Sequence, residues 1–490
     1  MKKFKCMLCG YEIEKDELVD GYVCPICGVS KSQFEEVIEV DNRVPIDENN
    51  PSIMRIMEKC INCGICKNVC TEKVGIKYKA GQNCNKECIN CGRCRIACPM
   101  GAIVPKYNYQ NVMEAIKNPK KIVIVSTSPA VRVSLGEEFM MSAGTFVEGK
   151  MVASLKTLGV DYVLDTTFGA DLTIMEESQE LVNRIKNNGT LPMFTSCCPS
   201  WVKYLEINCP ELLPHLSSCK SPIGMQGTII KTYFAEKMGI NPKNIIHVAL
   251  TPCVAKKYEI NREEMNVSSQ YNNIDGLRDT DYVITTSELG LMLRENNIDF
   301  NSLNDMQYDS LLEKGSGAGV IFGNSGGVTE AAIRNVYNII TNETPSNNLL
   351  EFTNVRGLDS VKEAKIYINN LEIKVAVIHG VTNVKPFLEK LKNQKLDYHL
   401  IEVMSCNGGC IGGGGQPLTP VSKEKDILTK RMEGLYNNDE NTLVRCSYQN
   451  KDIQKIYNEF LGVPNNKICR ELLHTTYTSK KELKQEKIHS

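Results

Sequence analysis

The chain has 490 residues, a formal net charge of -1 and 42% hydrophobic residues. Near-neutral charge excludes nucleic acid or an anionic membrane surface as the main partner, and the apolar fraction suits a globular protein of two to four domains. No apolar run approaches about 18 residues, so no membrane span is expected. The basic start Met1–Cys6 has no apolar segment behind it, so no secretory signal is read there. Cysteine is the outlier. Thirteen of the 22 cysteines precede residue 99, nearly all at the C-x2-C spacing that gathers thiolates on one metal centre. In a long chain without an export signal this composition points to a reducing cytoplasm.

Residues 1–40 carry two knuckles, Cys6-x2-Cys9 and Cys24-x2-Cys27. Together they make a tetrahedral four-thiolate site, and spacing alone does not choose iron over zinc. The details around Cys9-Gly10-Tyr11 and Cys24-Pro25 resemble rubredoxin, with a short loop between the knuckles; a zinc ribbon is the alternative. Residues 41–53, polar and proline-marked, read as a linker. Residues 54–106 carry Cys60-x2-Cys63-x2-Cys66-x3-Cys70 and Cys88-x2-Cys91-x2-Cys94-x3-Cys98-Pro99. The doubled run resembles the bacterial two-cluster ferredoxins. That resemblance implies two 4Fe-4S clusters with crossed fourth ligands. One would use Cys60, Cys63, Cys66 and Cys98, the other Cys88, Cys91, Cys94 and Cys70. Thr71 stands where the first run usually has proline, which shapes a turn and ligates nothing. Cys84 is surplus and reads as structural.

Residues 107–490 change in texture. Apolar β-branched runs appear at 122–125, 162–164, 245–250, 282–284, 375–378 and 399–403, several separated by helical stretches. Short buried strands alternating with helices imply α/β layers with largely parallel sheets. A glycine-rich segment at 315–327 fits neither a dinucleotide fingerprint nor a Walker loop. It reads as close backbone approach around a buried site. Residues 174–185 read as a helix, with Glu177, Glu180 and Arg184 on one face.

Three further cysteine runs complete the pattern: Thr195–Trp201 with Cys197 and Cys198, Thr251–Glu259 with Cys253, and Glu402–Pro417 with Cys406 and Cys410. They resemble the three active-site signatures of iron-only hydrogenases, and the likeness extends over roughly residues 54–480. Carried over residue by residue, it implies that Cys198, Cys253, Cys406 and Cys410 hold the 4Fe-4S part of an H-cluster. Cys410 would bridge to a two-iron azadithiolate subsite bearing CO and cyanide. Lys256 matches a lysine that bonds one cyanide, a charge-assisted contact. Pro129 lies in a segment whose backbone meets the other cyanide, and Ala130 stands where some members have serine. Cys197 matches the thiol that passes protons to the bridging amine. Ser217, Glu177, Glu180 and Arg184 occupy the remaining relay positions out to the surface. Met404 keeps one pocket methionine, whereas Thr251 replaces another. Ile223 replaces a common glutamine. These departures touch tuning and remove no ligand. Cys209, Cys219, Cys446 and Cys469 match no role and read as small buried apolar groups.

The implied architecture is multidomain: a small rubredoxin-like four-cysteine domain, a ferredoxin-like domain with two 4Fe-4S clusters, and a large α/β H-cluster domain with two sheet-helix lobes around the site. The implied activity is reversible interconversion of dihydrogen with protons and electrons. Electrons would pass through the two clusters and, where the N-terminal four-thiolate site holds a mononuclear iron, through that iron; zinc, its alternative occupant, carries none. Implied partners are a ferredoxin or a rubredoxin-type acceptor and the maturation proteins that install the two-iron subsite. The alternatives are a hydrogen sensor of low turnover and a non-catalytic iron–sulfur assembly or electron-transfer protein. The chain retains the relay that sensors usually lack, and the full third signature that assembly factors do not need.

Overall fold

The structure, a computed structural model, describes residues 2–36, 41–76, 78, 87–310, 312, 314–394 and 397–482. Cys84 lies outside the described residues. The chain divides into two compact units, Met1–Arg43 with Asn62–Gly64, and Val44–Ile61 with Ile65–Ser490.

The smaller unit has a three-stranded antiparallel sheet in the order β2-β1-β3, from β1 (Lys2–Cys6), β2 (Glu12–Lys15) and β3 (Phe34–Glu36). Its apolar contacts are sparse. Tyr22 meets Phe34 edge-on at 5.4 Å, and Leu8 and Ile26 are exposed. A unit this small does not bury enough surface to hold itself together unaided, and a bound metal ordinarily makes up the difference.

In the larger unit, β4 (Ile53–Arg55) and β5 (Ile103–Pro105) pair antiparallel and close the two ends of the cysteine-rich segment. Two four-stranded sheets follow. The first is wholly parallel, in the order β10-β9-β6-β7, from β6 (Ile122–Thr127), β7 (Tyr162–Asp165), β9 (Ile245–Thr251) and β10 (Tyr282–Thr285). The second runs β11-β12-β13-β8, from β8 (Met193–Phe194), β11 (Val361–Ile368), β12 (Leu371–His379) and β13 (Leu400–Met404). Here β12, β13 and β8 are parallel and β11 is an antiparallel edge. The six apolar runs become β6, β7, β9, β10, β12 and β13. Val123, Val125, Val163, Val248, Val375 and Leu400 have no exposed surface at all, as expected for strands covered on both faces.

The helix Thr166–Lys186 joins the two lobes. The Asp165 carboxylate caps it by accepting from the Thr167 amide at 3.0 Å. Phe168 and Leu172 pack into the core beneath the first sheet, with Ile124 and Leu164. Ala170, Ile174, Leu181 and Val182 pack into the core of the second, with Val375, Val377 and Leu400. Fifteen of its 21 residues are buried, so this is a spine between lobes and not a solvated surface helix. The glycine-rich segment packs as tightly as expected. A Cβ on Gly315 would sit 2.3 Å from the Thr167 carbonyl carbon, and one on Gly326, at φ +96°, 1.9 Å from the Val355 oxygen.

Candidate active site and metal centres

The knuckles of the smaller unit are near-copies of each other. In each, a glycine at positive φ closes the turn, with the Gly10 amide donating to the Cys6 carbonyl and the Gly28 amide to that of Cys24, both at 2.9 Å. The Sγ atoms of Cys6, Cys9, Cys24 and Cys27 lie within 4.8 Å of one another, with Cys6–Cys27 at 3.6 Å and Cys9–Cys24 at 3.5 Å. Four thiolates at roughly 2.3 Å from one tetrahedral ion stand about 3.8 Å apart, so the donor set fits iron or zinc without rearrangement. Against the opposing effect of burial, the amides of Cys27 and Ile26 lower the Cys24 thiol to about 7.

In the larger unit Cys70, Cys88, Cys91 and Cys94 line one cavity, closed on its other side by Val44, Pro45, Ile53 and Ile89. This is the crossed ligand set implied for the second cluster. Tyr78 donates to the Cys70 sulfur at 2.7 Å, and the Asn90 amide approaches that of Cys88 at 3.4 Å. Burial, with the Arg93 amide opposing, leaves the Cys91 thiol pushed up to about 12. Cys66 and Cys98 share the apolar cluster around this cavity. The Val44 amide approaches the Cys66 sulfur at 3.3 Å, and the Ala102 amide that of Cys98 at 3.3 Å. Cys60 follows a turn at Met57–Lys59, and Cys63 belongs to the smaller unit.

The last four predicted ligands come from the carboxyl ends of parallel strands in both sheets, where open α/β sheets place their sites. Cys198 follows β8 and begins the helix Pro199–Asn208; Cys253 follows β9; Cys406 and Cys410 follow β13. They are mutual neighbours. Burial pushes the Cys253 thiol up to about 11, with Cys198 adding to it, and raises Cys406 and Cys410, with Cys253 and Cys198 adding to both. Four partly buried thiols gathered in one place, with the Lys256 cation acting on Cys253 and Cys410, fit a cluster that takes thiolate ligands. The Thr251 hydroxyl is turned to local use: it bonds the Cys253 carbonyl at 3.1 Å and accepts from the Cys253 amide at 3.2 Å. Lys256 Nζ donates to the Cys197 carbonyl at 3.0 Å and to Glu259 at 2.6 Å. Pro129 opens a turn after β6, and the Ala130 carbonyl accepts from Ser134 and Gln416. Met404 is buried in the core of the second sheet, and Ile223 packs on Ala249, Ile260 and Val283.

The third signature also touches the ferredoxin-like segment. A Cβ on Gly414 would lie 2.7 Å from the Cys91 carbonyl oxygen and 2.9 Å from Gly92 Cα. Arg95 clamps the same loop, donating to the carbonyls of Gly414 at 2.9 Å and Gln416 at 2.8 Å. The missing side chain of Gly414 lets the two backbones pack together, and the Cys91 thiol is near enough to Cys253 and Cys406 for their charges to act on one another.

Of the five predicted relay groups, Arg184, Glu180 and Ser217 are joined by hydrogen bonds. Arg184 donates to Glu180 Oε1 from Nη2 at 2.6 Å and from Nε at 3.1 Å, and is partly exposed. Ser217 donates to Glu180 Oε2 at 3.0 Å. Its backbone extends the pairing of β8, with the Ser217 amide donating to the Phe194 carbonyl at 2.8 Å. Glu177 is buried, and its Oε2 has no hydrogen-bond partner among the described residues. Burial, then the Glu180 charge, push its carboxyl up to about 8, with the Ser217 hydroxyl opposing. The Cys197 thiol is raised by burial and next by the Glu177 charge. Ser218, Cys219 and His474 also gather at Glu180, and no sequence reading found them. Ser218 and His474 stand 256 positions apart, and no spacing rule spans that distance.

The family described as iron only hydrogenase large subunit, C-terminal domain, matches residues 121–414. Iron hydrogenase small subunit matches residues 425–480, and the rubredoxin-like domain of rubrerythrin matches residues 4–35. The chain is 44% identical to iron hydrogenase 1 of Clostridium pasteurianum, over 88% of this chain and 77% of that protein. It is 42% identical to the periplasmic Fe hydrogenase large subunit of Nitratidesulfovibrio vulgaris, over 81% and 95%. Among solved structures, a variant of the apo FeFe-hydrogenase HydA1 from Chlamydomonas reinhardtii aligns with a TM-score of 0.66 at 36% identity, covering 76% of this chain and 98% of that one.

Proposed function

The chain belongs to the iron-only hydrogenase family, enzymes that interconvert dihydrogen with protons and electrons at an H-cluster, and we propose that it does so with Arg184, Glu180, Ser217, Glu177 and Cys197 as its proton path. The observation that carries the path is the buried Glu177 carboxyl, one oxygen of which has no partner among the described residues, with Ser217 acting on its proton affinity and its own charge acting on that of Cys197. An acid held near pH 8 both keeps and yields a proton close to neutrality, which is what a relay group needs. Arg184 fixes Glu180 at the solvent end, and Ser217 passes a proton by rotating its hydroxyl between the two glutamates.

Cys198, Cys253, Cys406 and Cys410 would hold the H-cluster, which supplies the redox-active iron. Lys256 is kept protonated by Glu259, against the burial that opposes it, and offers a fixed cation beside those thiols. The cysteines of 54–106 would hold two 4Fe-4S clusters, the one on Cys70, Cys88, Cys91 and Cys94 next to the active site. The four N-terminal thiols would hold a mononuclear iron in contact with a rubredoxin-type or ferredoxin partner, and maturation proteins would install the two-iron subsite. No described helix is long and apolar enough to cross a membrane.

The test is a dihydrogen assay on matured enzyme beside Cys197→Ala, with infrared bands of iron-bound CO and cyanide confirming that the site is loaded. Loss of at least 100-fold in turnover with the bands intact is expected, the scale of one lost proton-transfer group. Full activity in the variant refutes the path, and intact bands with negligible turnover in the native protein would favour the sensor.

A further inference from the structure

Beside the relay, a second set of donors is assembled on paired backbone. Cys219 and His474 face each other across an isolated antiparallel bridge, fixed by the Lys220 amide donating to the Leu473 carbonyl at 2.9 Å and the Thr475 amide to that of Ser218 at 2.7 Å. Glu180 reaches the same point from the Thr166–Lys186 helix, with its Oε2 at 3.7 Å from Cys219 Sγ. One atom each from Glu180, Cys219 and His474 lies within 4.8 Å of the others, and all three residues are buried. A tetrahedral zinc ion with bonds of roughly 2.0–2.3 Å separates its ligands by about 3.3–3.8 Å, so the set needs only a small contraction.

The surroundings choose the histidine tautomer. His474 Nε2 lies 3.1 Å from Glu176 Oε2. That carboxylate is itself held by the Tyr457 hydroxyl and by the Asn465 amide at 2.7 Å. A carboxylate accepts only, so Nε2 carries a hydrogen, and in the neutral imidazole Nδ1 then keeps its lone pair. Nδ1 lies 2.7 Å from the Ser218 hydroxyl, which also reaches Glu180 Oε2 at 3.2 Å. A carboxylate orienting an imidazole from behind is the usual outer shell of a metal-ligating histidine. Glu180 Oε1 is taken by Arg184, and Oε2, which now accepts from Ser217 and Ser218, is the oxygen nearest Cys219. A cavity lined by Pro199, Arg262 and Tyr477 leads to Cys219.

We infer that Glu180, Cys219 and His474 form a binding site for a zinc-like divalent cation, with His474 Nδ1, Cys219 Sγ and Glu180 Oε2 as ligands. Binding forms a metal–sulfur bond and releases the Cys219 proton to solvent; the imidazole and carboxylate enter without proton change, and Ser218 gives up its bond to Nδ1. The fourth position is left to water. Because Glu180 also serves the proposed relay, an occupied site takes away the acceptor of Ser217 and halts proton supply. This consequence rests on the reading given above.

The experiment is equilibrium dialysis of matured full-length enzyme against zinc alone, for the native chain, Cys219→Ala, His474→Gln and Glu176→Gln. Iron content and melting temperature report whether each variant is folded. The native chain is expected to bind one more equivalent than either ligand variant, since the N-terminal thiols contribute equally to all. Glu176→Gln is expected to keep the equivalent with 10- to 100-fold weaker affinity, and it stands as the informative variant if a ligand variant fails to fold. Equal zinc uptake at equal affinity in all folded chains overturns the site. Zinc is expected to stop dihydrogen turnover in the native chain and a chelator to restore it. An extra equivalent bound with turnover undiminished keeps the site and sinks the relay.

Discussion

Replacing Glu177 with Gln separates the two consequences of burying an acid in the proposed proton path. The side chain keeps its shape and loses its proton. Turnover should fall by 10²- to 10⁴-fold, the contribution of one positioned acid–base group and about 3–5 kcal/mol of barrier. Stability should move the other way. Glu177 yields its proton near pH 8 in the folded chain and near 4.5 when unfolded. Its raised value therefore leaves full stability below pH 4.5 and withdraws it as the pH rises through about 8. At about 1.36 kcal/mol per pH unit, the interval from 4.5 to about 8 sets a ceiling of about 5 kcal/mol on that loss. A Gln amide with no acceptor at the position of Oε2 returns about 1–3 kcal/mol of it. Melting curves of both matured chains from pH 5 to pH 9, beside hydrogen evolution with an artificial reductant, read out both effects. The variant should lose less melting temperature than the native chain on the alkaline side. Native turnover in the variant, or melting temperatures that fall in parallel, would refute the reasoning.

Two further outcomes follow from the electron side. Gly414→Ala puts a methyl 2.7 Å from the Cys91 carbonyl oxygen. It should force the third signature away from the ferredoxin-like segment, slowing oxidation of dihydrogen with a protein acceptor several-fold more than dihydrogen–deuterium exchange, which needs no external electrons. Deleting residues 1–40 should slow oxidation with a rubredoxin-type acceptor and spare evolution from an artificial reductant, because a rubredoxin-like iron sits at higher potential than ferredoxin clusters. Equal loss in both directions would remove the case for an exit through the smaller unit.

The parallel strands were legible because both faces are covered and their apolar runs are unbroken, as in Ile122–Val125 and Val375–Ile378. The edge strand β11 was not, because it alternates: Ala364, Ile366 and Ile368 face inward while Glu363, Lys365 and Tyr367 face water, and no run forms. β8 spans two residues, too short for any pattern. The thiols of each cysteine run were legible because ligands close in sequence share one centre. The use of the Thr251 hydroxyl, within two residues of a predicted ligand, was hidden because it depends on backbone turn geometry. Cys219 read as a small apolar group because its neighbour His474 arrives from the far end of the chain.

The Thr166–Lys186 helix is locked in register from both sides. An inserted residue before Glu177 would turn everything beyond it by about 100° and advance it by about 1.5 Å. Ordinary helices absorb such a change by sliding on a single partner. This one would have to trade places in two cores at once, carrying Leu181 and Val182 out of one while it swung Glu180 away from Ser217. Point substitutions can accumulate along it, but its length cannot drift. Its residue count is thus as much a fixed part of the proposed proton path as the carboxylates it carries.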